Sequence, residues 1–84
     1  MDRTRFSRVV WALENGELPS RVAYAWEVSE FDVLAVVVAL VAAVRCDRNS
    51  SAWIREECAW SFFSSGRAVD LLREAGVWRE VERC

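Results

Sequence analysis

Histidine is absent from the 84 residues, which removes the usual general base for a serine or cysteine nucleophile. Ser50, Ser51, Ser61, Ser64 and Ser65 fall where helices begin and end, so they read as caps and turns. Glu56 and Glu57 are neighbours in the chain. On a helix they point about 100° apart, and the spacing predicts no shared acid–base site. Three scattered glycines make no phosphate-cradling loop. Cys46, Cys58 and Cys84 form no CxxC, and three thiols fall one short of the four N or S ligands of a closed zinc site. The expectation is a chain without enzymatic activity, cofactor or metal.

The remaining chemistry is that of recognition. The chain has five tryptophans and four phenylalanines. Trp26 reads as a core wedge. Trp11 projects onto the side of its helix shared by Thr4, Ser7, Arg8 and Asn15, away from the apolar stripe. Trp53, Trp60 and Phe63 form a second apolar stripe on a helix that already has one, so that helix is either sandwiched or offers a face to a partner. Tryptophan is favoured at binding hot spots, and exposed apolar patches mark interaction surfaces. Glu14, Glu17, Glu27, Glu30 and Asp32 stand against Arg21 alone between residues 14 and 32. This is a solvated surface with helix-start carboxylates, or a patch suited to a basic partner such as a nucleic-acid-binding protein or complex. The expected partner-binding set is Trp11, Trp53, Trp60, Phe63, Glu14 and Glu17.

Helices must position these side chains. Phe6, Val9, Val10 and Leu13 recur at helical spacing, predicting a helix over Thr4–Asn15 that stops at Gly16, with Pro19 beyond. Ser20 is expected to cap a second helix reaching about Val28, with Val22, Ala25 and Trp26 on one face. Ser29 and Asp32 have the spacing of a capping box, with Val28 and Val33 at the staple positions, so a third helix starts afresh at Glu30. Val33–Val44 is apolar on every side and reads as a buried central helix, with Arg45 and Arg48 placed favourably near its C-terminus. Cys46–Ser51 is the main loop. Ser50 or Ser51 caps a fourth helix over Ala52–Ser64, with Ile54, Cys58 and Phe62 as one stripe. Ser64 or Ser65 opens a fifth that ends at Gly76, with Ala68, Leu71, Leu72 and Ala75 opposed by Arg67, Asp70, Arg73 and Glu74. The phase then breaks at Val77, Trp78 and Val81, leaving the tail as a short helix or an extended segment. The sum is one all-α domain over residues 1–84, a small bundle of four to five helices packed around residues 30–45.

The segment GRAVDLLREAGVWREV, beginning at Gly66, resembles the end of a winged helix-turn-helix domain, where a recognition helix closes with LxxAG before the wing. That resemblance implies a DNA-binding regulator. Arg67 and Arg73 would lie on the recognition helix, and Arg3, Arg5 and Arg8 would form an N-terminal arm. A DNA reader presents a basic face, whereas Asp70 and Glu74 offset these arginines and the net charge is −2. DNA binding therefore ranks second.

Arg3, Arg5 and Arg8 are followed by no apolar signal region, and an odd cysteine count suits reduced thiols, so the expected location is the cytoplasm. The Val33–Val44 run is too short for a membrane span, which takes about 20 residues. Short length, acidic balance and the missing active site match the class of small phage or mobile-element effectors that inhibit a host protein by occupying its surface. The leading expectation is such a non-catalytic protein–protein interaction module, with a homodimer as one possibility.

Overall fold

The computed structural model describes residues 1–46 and 51–75, and for Arg45, Cys46 and Ala52 the backbone alone. They form five helices: α1 (Arg3–Glu14), α2 (Pro19–Ala25), α3 (Glu30–Cys46), α4 (Ala52–Ser64) and α5 (Arg67–Ala75). No strand occurs among the described residues. The architecture is the expected all-α bundle, and each of the other four helices packs against α3. The tail residues Val77, Trp78 and Val81, the stop at Gly76, Arg48 and most of the expected 46–51 loop lie outside the described residues; α3 itself continues through Cys46.

Local chemistry sets the boundaries. The Asp2 carboxylate accepts a hydrogen bond from Arg5 N at 2.7 Å and caps α1 one residue before the predicted start. At the other end Gly16 adopts φ 86°. Gly16 N donates to Leu13 O and Glu17 N to Ala12 O, the paired bonds of a Schellman stop. Pro19, expected only as an exit from α1, also opens α2, because its fixed φ is already helical. The predicted Ser20 cap is displaced to Leu18, which provides no side-chain bond.

A second Schellman stop ends α2 at Ala25, short of the predicted Val28. Glu27 N donates to Tyr24 O and Val28 N to Ala23 O. Here the left-handed position is held by Glu27, at φ 53°, where a side chain costs about 1–2 kcal/mol relative to the right-handed region. The chain restarts at once. Ser29 Oγ accepts from Asp32 N at 3.1 Å, and Val33 one residue later is fully buried. The serine half of the capping box thus forms as the spacing predicts, without the return bond from Ser29 N to the Asp32 carboxylate.

Between α4 and α5 the serines act differently from expectation. Ser64 and Ser65 hydroxyls donate back to Ser61 O and Phe62 O, finishing α4 instead of starting α5. Gly66, at φ 85°, turns the chain, and its carbonyl accepts the first bond of α5 from Asp70 N. Of the stripe on α5, Ala68 and Leu72 are buried, whereas Leu71 and Ala75 are exposed.

The core joins Phe6, Val9 and Val10 of α1, Val22 of α2, Val33 and Val36 of α3, and Leu72 of α5. Trp26 packs against it, as expected of a wedge. Small side chains fill the tightest places. Ala35, Ala39 and Ala43, spaced one turn apart along α3, are all buried, as are Ala59 and Ala68 on the helices that pack there. Alanine lets helix axes approach toward the close end of the 8–10 Å range.

Candidate protein-binding surface

Two constellations join apolar groups to charge, and they differ in whether the chain closes them. The first is a seam between α1 and α4. Phe6 meets Trp60 edge-on, with ring centroids 5.0 Å apart, and Phe63 at 5.4 Å; Trp60 and Phe63 stack at 6.1 Å. The Arg3 guanidinium lies over this cluster, 5.5 Å from the Phe6 centroid and 5.7 Å from that of Trp60. Arg3 also donates to Ser7 Oγ, to Glu56 at 2.7 Å and to Glu57. The fork thus joins cation–π attraction to two carboxylates. Burial pulls the Arg3 pKa down, but the hydrogen bonds to Glu57 and Glu56 and their negative charges outweigh it. The net shift is upward from an already high value, so Arg3 stays charged.

The spacing of Glu56 and Glu57 predicts no shared acid–base site, and the seam gives the pair a structural role that the sequence reading did not assign. They diverge from the helix axis, yet one long guanidinium from 53 residues away gathers both. It also resolves the two stripes of α4. Phe62 and Phe63 lie on either side of the fully buried Ala59, so the C-terminal ends of the two stripes are shoulders of one core-facing arc, while Trp53 at the start of the second stripe is exposed. Cys58, at the edge of that arc, is an exposed free thiol.

The second constellation is open. A groove of about 560 Å³ is lined by Leu40, Val41 and Val44 of α3, Glu14 of α1 and Arg55 of α4. Val41 and Val44 are 47% and 42% exposed. The expectation that α3 is buried on every side therefore fails at its C-terminal half, although α3 remains the helix around which the others pack. Among the described residues neither Glu14 nor Arg55 makes an ion pair; the two ion pairs found both belong to Arg3.

The partner-binding set divides along the same line. Trp60 and Phe63 are half-buried in the seam. Trp11 and Trp53 are 63% and 68% exposed. Trp53 lies two turns before Trp60 on the same side of α4, beyond the reach of Phe6. Glu14 and Glu17 are exposed, and Glu14 lies one turn after Trp11 on the same side of α1. Val41, Val44, Leu18 and Tyr24 also expose apolar surface, and the sequence reading placed none of them there. Their one legible signal was polar company: Tyr24 shares a face of α2 with Ser20 and Arg21.

Of the residues assigned to DNA, Arg3 is engaged in the seam. Arg5 and Arg8 are exposed, as are Arg67 and Arg73, interleaved with exposed Asp70 and Glu74. Among the described residues no polar or charged residue is buried, and no group of three or more metal-ligating side chains comes together. No helix among them is long and apolar enough to cross a membrane. Comparison with protein-family models, with curated proteins and with solved structures gives no match to this chain.

Proposed function

We propose that the protein is a non-catalytic interaction module of the cytoplasm that works by occupying the surface of another protein. The observation that carries this reading is the exposure of Trp11 and Trp53 on a chain whose other described tryptophans and phenylalanines are buried or half-buried. An indole in water forfeits its burial energy, and Trp anchors at interface centres are worth about 2 kcal/mol or more each. Glu14 and Glu17 beside Trp11 favour a partner with a basic surface, since opposed potentials steer encounter and fix orientation. The compact, acidic chain without an evident active site suits a small phage or mobile-element effector that inhibits its target by covering it.

The test is affinity capture from the native cytoplasm with the tagged chain, run beside Trp11→Ala, Trp53→Ala and a Glu14→Lys/Glu17→Lys variant. A specific protein partner is expected, bound about 30-fold more weakly after loss of either contacting indole. Its binding should also fall as salt rises, through the two glutamates. Recovery of no protein, or of proteins indifferent to all these variants, would overturn the reading. Retention of duplex DNA at physiological salt, abolished by Arg67→Ala and Arg73→Ala, would replace it with DNA recognition.

A further inference from the structure

The groove beside α3 has walls of opposite charge: Glu14 on α1 and Arg55 on α4, with Leu40, Val41 and Val44 as its floor. Such a patch is complementary to itself. A two-fold axis lying in the patch, between the two charges, carries Glu14 of one copy onto Arg55 of the other. It makes the same crossing a second time and brings floor against floor, which is how isologous interfaces are built. An axis turned by a right angle would set like charge on like.

We infer that this groove is the interface of a two-fold homodimer, with Glu14 of each copy paired to Arg55 of the partner subunit. Three features argue for a second copy over another occupant. The first is the charge pattern: the basic partner proposed above would meet repulsion at Arg55 and so suits Trp11 and Glu17, outside the groove lining, whereas the groove itself suits a surface that carries both signs, as a second copy does. The second is that neither charge is paired among the described residues, in contrast with Glu56 and Glu57 one and two residues further along α4. The third is composition: Val41, Val44 and half-buried Leu40 give the groove an apolar floor that a second copy can cover with its own. The inference deepens the interaction-module reading and rests on it only in treating the exposed apolar surface as a place of binding.

Sedimentation velocity on the full chain tests it, with three single variants. The wild type is expected to dimerise with concentration, and Val41→Glu to sediment as a monomer with unchanged helical circular dichroism. Glu14→Arg and Arg55→Glu each set like charges at both crossings, so each alone should self-associate about tenfold more weakly or worse. An equimolar mixture of those two variants restores opposite charges at both crossings and should recover association as a heterodimer. A wild type that stays monomeric up to about 1 mM would overturn the dimer, whether the groove then takes another protein or residues 77–84 of the same chain. So would charge variants that associate as well as wild type, or mixing without effect. A monomer that still captures a partner through Trp11 or Trp53 sinks the dimer and leaves the module reading standing. A confirmed dimer that captures nothing sinks the module reading alone.

Discussion

The seam between α1 and α4 and the groove beside α3 are made of the same materials, apolar side chains edged by glutamate and arginine, yet the chain closes one and leaves the other open. In the seam Phe6, Trp60 and Phe63 exclude water, and Arg3 reaches over them to Glu56 and Glu57. In the groove Val41 and Val44 keep nearly half their surface, and Glu14 and Arg55 have no ionic partner among the described residues. The difference lies in what faces each surface. Arg3 brings five donors in a rigid fork and lies within reach of two acids. Beside α3 no element of the described chain supplies a matching group. Composition alone, then, does not separate a surface that stabilises the fold from one available for recognition; the presence of an opposing element does.

The largest effect expected from breaking this contrast comes from the closed side. Phe6 is fully buried at the centre of the seam. Phe6→Ala should cost about 3–5 kcal/mol by urea unfolding, a large part of the total stability available to a chain of this length. A loss below about 1 kcal/mol would show that the seam is not the closed core described. Next is Arg3→Ala, which removes the cation–π contacts and both carboxylate partners. The guanidinium is part-exposed, so solvent screening holds the expected loss to about 1–2 kcal/mol. Arg3→Lys keeps the charge without the fork and should recover only part of that. Equal stability for the two variants would mean that the fork alone matters, because lysine keeps both the charge and an aliphatic stem that alanine lacks.

Local features were legible in the sequence, and features that depend on a distant partner were not. The stop at Gly16, the cap at Ser29 and the exposure of Trp11 follow from spacings of three and four residues, and the structure shows all three. The end of α2 was misjudged because its left-handed residue is Glu27, where a glycine would have signalled it. Ser64 and Ser65 were read as opening α5, since a serine hydroxyl can serve either helix and only geometry tells which. The outer edge of α3 was hidden for a different reason. A run that is apolar all round has no preferred direction, so periodicity cannot say which valines face water. The role of Glu56 and Glu57 was out of reach because Arg3 lies more than fifty positions earlier. The candidate surface was therefore half legible. Trp11, Trp53, Glu14 and Glu17 are accessible as expected, whereas Trp60 and Phe63 are engaged within the chain, and Val41, Val44 and Arg55 went unnoticed.

The smallest expected effect tests the open side most sharply. Val44 sits at the C-terminal half of α3 with 42% of its surface in water. Serine and valine have similar helix propensities, so Val44→Ser changes little except the apolar surface presented to the groove. At dilutions where the chain is monomeric, its unfolding free energy should stay within about 0.5 kcal/mol of wild type. The dilution is essential, because a ligand or a second copy bound to the native state adds stability in proportion to its occupancy. Repeating the measurement at high protein concentration should open a gap between the two proteins, the wild type gaining stability from an association that the serine variant makes less well. A loss above about 1.5 kcal/mol at dilution would mean that Val44 is covered within the single chain, so that groove and seam are two closed faces of the same core.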